Sequence, residues 1–167
     1  MQKLYILCGV GFSGKSTLAR KITEYKNAIL VSQDDIWFEK AKECNLDEDS
    51  DEDWDMVLQI SKQRVMDKLS HGNSVVFDHV NLRHSHREEL RDVAKEYGAQ
   101  AVVVYLDTSF DIQKERWLKN IETQERHNVE QKFLDEAIKE LEIPHVSENT
   151  FIFTPDTDIA YWLDKLP

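Results

Sequence analysis

Cysteine is nearly absent from this 167-residue chain: Cys8 and Cys44 are the only two, too few for a disulfide framework or a four-cysteine metal site. Proline (three) and glycine (five) are also sparse. No Gly/Ser-rich linker divides the chain, which points to one domain spanning residues 1–167. No apolar run approaches the roughly 18–20 residues that cross a bilayer. The stretch Met1–Cys8 is too short for a secretory signal before glycines begin, so a cytoplasmic protein without a membrane partner is expected. Positive charge is short as well, with 21 Lys+Arg against 32 Asp+Glu and a formal net charge of -11. A general nucleic-acid binder needs a basic face, so this balance weighs against one. Apolar residues, by contrast, are plentiful: 41% of the chain is hydrophobic, with four Trp, seven Phe and five Tyr, which excludes disorder.

Short apolar runs alternate with helical patterns. Leu4–Cys8, Ala28–Val31, Ser74–Asp78, Ala101–Leu106 and Thr150–Phe153 read as buried strands. Lys15–Tyr25, the periodic positions Trp54 to Leu69 closed by Gly72, Ser85–Tyr97, Phe110–Leu118, Val129–Glu142 and Asp156–Leu166 read as helices. Asn128, with Gln131 three residues on, has the spacing of a capping box for the fifth of these. Continuous apolar strands separated by helices predict an α/β protein with a mainly parallel sheet covered on both faces. Ligands bind such sheets beyond the carboxyl ends of the strands, here near residues 9–17, 32–38, 78–83 and 107–111.

Three of the five glycines fall within six residues, in Gly9-Val10-Gly11-Phe12-Ser13-Gly14-Lys15-Ser16. Every fixed position of G-x-x-x-x-G-K-[ST] is filled, between an apolar strand and an amphipathic helix. Glycines let successive backbone N–H groups curl around phosphates, Lys15 reaches the β- and γ-phosphates, and the Ser16 hydroxyl suits Mg²⁺. Gly9, Gly11, Phe12, Ser13, Gly14, Lys15, Ser16 and Thr17 are therefore the expected nucleotide contacts. An N-K-x-D guanine reader is missing, which disfavours a regulatory GTPase.

The second strand leads into Val31-Ser32-Gln33-Asp34-Asp35-Ile36-Trp37-Phe38. A carboxylate there faces the γ-phosphate and could take the proton of an attacking hydroxyl; Asp34 is the first candidate and Asp35 the second. Helix N-capping is the other role open to this pair. Asp78 ends the third strand as a Walker-B carboxylate holding Mg²⁺ through water, or as a turn residue. Arg116, Arg126 and Lys119 could swing over the transferring phosphate, within a lid at about 114–130, or simply decorate a helix surface. Residues 43–55 hold eight carboxylates and no Lys or Arg, read as a solvated, mobile acidic insert on the acceptor side.

Residues 9–17, 31–35, 78–87 and 110–129 together resemble the AAA-type P-loop kinase group of polynucleotide 5′-hydroxyl kinases, zeta toxins and chloramphenicol phosphotransferase. Asp78-His79-Val80-Asn81-Leu82 is similar to that group's D-x-T-N-[LV] stretch, with Val80 in place of Thr. The resemblance implies a P-loop NTPase fold, a three-layer α/β/α sandwich with five strands in the order 2-3-1-4-5 and a small helical lid. It places the general base at Asp34. The group's acceptor-clamping Arg is replaced by Trp37, which suits an apolar acceptor or packs beneath the loop. Its second lid Arg is replaced by Asn120. Arg87 is a further candidate for contact with the acceptor.

The expected function is an ATP- and Mg²⁺-dependent kinase acting on a hydroxyl of a small molecule, as a monomer or homodimer. A nucleic-acid 5′-hydroxyl or tRNA kinase is the nearest alternative, and an ATP-binding regulatory module the second.

Overall fold

In the computed structural model, residues 1–125 and 129–167 are described. Five strands, β1 (Lys3–Cys8), β2 (Ile29–Ser32), β3 (Val75–Asp78), β4 (Gln100–Leu106) and β5 (Thr150–Phe153), form one sheet in the order β2-β3-β1-β4-β5. Every neighbouring pair is parallel. The order is the one expected from the sequence.

Alternation along β1 shows how the layers form. Leu4, Ile6 and Cys8 join a core on one face, against α2 (Gln33–Cys44), α3 (Asp51–Ser70) and α4 (His84–Glu96). Tyr5 and Leu7 join a core on the other, against α1 (Lys15–Lys26) and α7 (Ile159–Lys165). Period-two geometry sends neighbours to opposite faces, and both faces are apolar, so the strands read as continuous hydrophobic runs. The remaining helices, α5 (Phe110–Thr123) and α6 (Gln131–Glu140), follow β4.

Helix ends follow local chemistry. Gly98, at φ +68°, ends α4, with Ala99 N–H donating to Ala94 O at 2.8 Å; a β-carbon would disfavour that backbone. The start of α2 differs from the sequence reading. Ser32 is its N-cap, accepting from Asp35 N–H at 3.2 Å, so capping does not fall to the Asp34–Asp35 side chains. Expected from Val129, α6 has Glu130 at its N-cap; Asn128 lies outside the described residues.

The acidic segment is exposed to solvent, as the sequence suggested, but it is not one continuous loop. Glu43 lies in the last turn of α2, residues 45–50 connect, and Asp51, Glu52 and Asp53 form the first turn of α3, where carboxylates favour the positive end of the helix dipole. Ser50 accepts from Asp53 N–H at 3.2 Å, and the Asp53 carboxylate accepts from Asp47 N–H at 2.8 Å.

Candidate active site

The carboxyl ends of β1, β2, β3 and β4 lie on one edge of the sheet, and everything of chemical interest gathers there. In the register of β2 with β3, Ser32 lies beside Asp78, which sets the first turn of α2 against the end of the Asp78 strand. The Ser16 hydroxyl hydrogen-bonds the Asp78 side chain, and Lys15, Asp34 and Asp35 act on the same carboxyl electrostatically. Burial raises the Asp78 pKa; Lys15 and the Ser16 bond pull it down, while Asp34 and Asp35 push it up. Five expected site residues thus converge on one point.

The phosphate loop is tied down on both sides. On the β3 side, Asn81 Nδ2 donates to Leu7 O at 2.7 Å, and Gly9 N–H donates to Val80 O at 3.1 Å. On the β4 side, Thr108 Oγ1 donates to Ser13 O at 3.0 Å, and Gln113 Nε2 holds Thr108 O at 2.6 Å. Gly14 starts α1 at φ +104°, a conformation that only glycine adopts readily. Lys15 Nζ donates to Val10 O at 2.9 Å, folded back along the loop.

Two clefts open beside this loop. One, of about 360 Å³, runs past Phe12, Ser13, Gly14 and Thr17 to Arg116, Lys119, Phe153 and Pro155. Arg116 Nη1 donates to Phe12 O at 3.1 Å, so the guanidinium lies against the loop backbone. Arg126, the other expected lid cation, lies outside the described residues. Asn120, at the expected second lid position, is buried. The second cleft, also about 360 Å³, has Asp34 on its wall, with Gln33, Trp54, Asp55, His79 and Glu140 among its neighbours. His79 Nδ1 and Asn81 Oδ1 are 3.0 Å apart, and burial pushes the His79 pKa down to about 4 against a partial lift from that bond.

Two expected acceptor contacts are corrected by packing. Arg87 is fully buried and forked onto Glu148, with Nε to Oε2 at 2.7 Å and Nη2 to Oε1 at 3.2 Å. Its Nη1 supports Asn81 O at 3.0 Å and Leu82 O at 2.8 Å. Arg87 therefore holds the loop after β3 from behind. Trp37 is 2% exposed and stacks on Trp54 with ring centroids 3.8 Å apart. Trp54, read from sequence only as a helical core position, is the indole that lines the cleft. The sequence reading also assigned no role to Asn81, Thr108 or Leu134. Only Asn81 carried a signal, inside the Asp78–Leu82 motif.

Leu134 marks where α6 sits. A β-carbon on Gly11 would lie 2.9 Å from Leu134 Cδ2, so α6 rests on the phosphate loop. The helix is anchored beyond that point by the Arg83–Glu140 pair at 2.8 Å. Just after it, Glu142 Oε2 accepts from His84 N–H at 2.6 Å, capping α4.

Among the described residues, no His/Cys/Asp/Glu group of three could hold a metal on its own. A buried carboxylate hydrogen-bonded to the loop serine is the donor set of a cation shared with phosphate oxygens, and it fits Mg²⁺ in that role. No helix among the described residues is long and apolar enough to cross a membrane.

A strand, a phosphate loop and an acidic strand end in this arrangement define a P-loop NTPase fold. The chain matches the AAA domain family over residues 4–144 and belongs to it. No curated protein matches the sequence. Among solved structures, a Chloroflexus aurantiacus protein with a provisional kinase designation has a TM-score of 0.82 at 16% identity, covering 98% of this chain and 96% of that one. A gluconokinase from Sinorhizobium meliloti has a TM-score of 0.68 at 20% identity, covering 98% and 89%. The APS kinase of Mycobacterium tuberculosis, solved with AMPPNP and APS, has a TM-score of 0.69 at 18% identity, covering 98% and 94%.

Proposed function

We propose that the protein is an ATP-dependent kinase that transfers the γ-phosphate to a hydroxyl of a small molecule. The observation that carries this reading is the Ser16–Asp78 hydrogen bond with Asp34 and Asp35 acting on the same carboxyl, Asp34 also lining a cleft. The cleft past Phe12 and Arg116 takes the nucleotide, its base resting near Phe153 and Pro155. The cleft bearing Asp34 takes the acceptor.

The backbone of Gly9–Thr17 cradles the phosphates and Lys15 swings from Val10 O to neutralise them. Ser16 and Asp78 would hold Mg²⁺, which would offset charge on the phosphate oxygens. Asp34 accepts the proton of the acceptor hydroxyl as its oxygen bonds to the γ-phosphorus and the bond to the β–γ bridging oxygen breaks, releasing ADP. Asp35 is the second candidate for that role. Arg116 and Arg126 stabilise the charge on the transferring group, and α5, which bears Arg116, excludes water. Such an enzyme works in the cytoplasm on a soluble metabolite, as a monomer or homodimer.

The test is product analysis with γ-labelled ATP and Mg²⁺ across a panel of hydroxylated metabolites. Label on a metabolite is expected. Free phosphate alone, unaffected by any acceptor, would replace the kinase with an ATPase module.

A further inference from the structure

The wall of the Asp34 cleft is selective in charge. Three carboxylates line it, Asp34, Asp55 and Glu140, and no Lys or Arg does. The cations that act on its histidines are engaged: Arg83 with Glu140 at 2.8 Å, Lys62 with Glu89 at 2.7 Å, and Lys15 with Val10 O at 2.9 Å. Asp55 is exposed in the first turns of α3 and, among the described residues, has no salt-bridge partner.

A second observation is independent of the acids. Gln33 also lines the cleft, is 7% exposed, and makes no side-chain hydrogen bond within the described protein. Its amide atoms keep contact with the open cleft, where they can both donate to and accept from a bound molecule. A hydroxyl does both. The apolar part of the wall comes from Trp54 and Leu58, with Trp37 stacked behind Trp54. An indole beside carboxylates favours a cation over an anion.

We propose that the acceptor is a hydroxyl compound carrying an ammonium group, such as an amino alcohol or amino sugar. Its carbon skeleton lies against Trp54, its ammonium beside Asp55, and a hydroxyl bonded to Gln33 next to the one that Asp34 deprotonates. This rests on the kinase reading only for which hydroxyl reacts; the binding preference follows from the cleft. Transfer consumes ATP and yields ADP and a phosphate ester, with the hydroxyl proton leaving through Asp34.

The experiment compares matched ligands at fixed ionic strength: D-glucosamine, N-acetyl-D-glucosamine, D-glucose and D-glucuronate, with ethanolamine against ethylene glycol as a smaller pair. Binding is read by quenching of tryptophan fluorescence in the presence of AMPPNP and Mg²⁺, and phosphate transfer by labelled ATP. Tighter binding of the ammonium member in either matched set by about tenfold or more is expected. The Asp55→Asn variant should lose that margin while binding the neutral member unchanged. Binding without transfer would uphold the charge preference while removing the kinase reading. Transfer to glucuronate or to a neutral member, with the ammonium compounds weaker in both assays, would overturn the proposal and leave the kinase intact. Equal binding across both sets, or none to any ammonium compound, would overturn it too.

Discussion

Arg87 and Glu148, whose side chains are 1% and 2% exposed, form a two-pronged ion pair that joins α4 to the turn before β5. The pair sits directly behind the loop that follows Asp78, because Arg87 also holds the carbonyls of Asn81 and Leu82. Removing one member of a buried pair leaves the other charged without a partner. Arg87→Leu or Glu148→Leu should therefore each cost about 3–5 kcal/mol in urea unfolding. The double substitution should recover part of the loss; the remainder reports the two carbonyls left without donors. Burial alone would raise the Glu148 pKa, but the Arg87 hydrogen bond and the His145 N–H hold it low. That contribution is fully present above the ordinary glutamate value and is lost as pH falls through the lower folded value.

Asp78→Asn should separate stability from activity. Burial has raised the pKa of this carboxyl, so its ionised form is less favourable in the folded protein than in the unfolded chain. Without nucleotide, the amide should raise Tm. Turnover should fall by about 10²–10³-fold, the usual loss when one electrostatic element of a transfer site is removed. Calorimetry and steady-state kinetics on the same preparation read both.

Asp34→Asn should lower kcat by about 10²–10⁴-fold with little change in ATP affinity, because the general base acts only when the hydroxyl attacks. Lys15→Ala should weaken ATP binding and turnover together. Nucleotide titration against kcat distinguishes the two patterns; parallel losses in both variants would return Asp34 to a structural role.

His79 gives the acid side of the stability curve. With its folded pKa at about 4 and an unfolded value near 6.5, the unfolded chain binds the proton first as pH drops. The contribution is fully present above pH about 6.5 and disappears toward pH about 4, a span of about 3 kcal/mol. The groups acting on it are Asn81, Lys15, His86 and Lys62, with the Phe77 ring stacked at 5.7 Å. His79→Gln should flatten that part of the curve, measured as urea stability at steps between pH 4 and 7.

Gly11→Ala probes the seat of α6. The new methyl would meet Leu134 Cδ2 at 2.9 Å, and because that half-buried side chain can swing aside, the cost should be no more than about 1 kcal/mol. The same change in a Leu134→Ala background should cost little. A coupling of about 1 kcal/mol in the double-mutant cycle would register the contact.

The strands and the phosphate loop were legible because their signals are local: continuous apolar runs, and glycines at fixed spacing before Lys15. The helix α2 was not, since Gln33, Ile36 and Trp37 are its only buried residues and make a thin stripe for a helix of that length. The role of Arg87 depends on Glu148, 61 residues away, and no local pattern links them. Trp37 and Trp54 are alike in sequence; only the packing of α2 on α3 decides which one meets the cleft. The acids after residue 43 were legible as charge, but their use as a helix start depends on Ser50.

Asn81 has a consequence for how this protein could change over generations. Its amide on Leu7 O, with Val80 O taking Gly9 N–H, makes the nucleotide loop and the Asp78 strand exit one rigid block. The cleft wall contributed by Trp54, Asp55 and Leu58 stands on α3, outside those bonds. Drift along that helix can retune which molecules are admitted while the phosphate-handling block keeps its alignment, so new specificities lie within reach of single substitutions there.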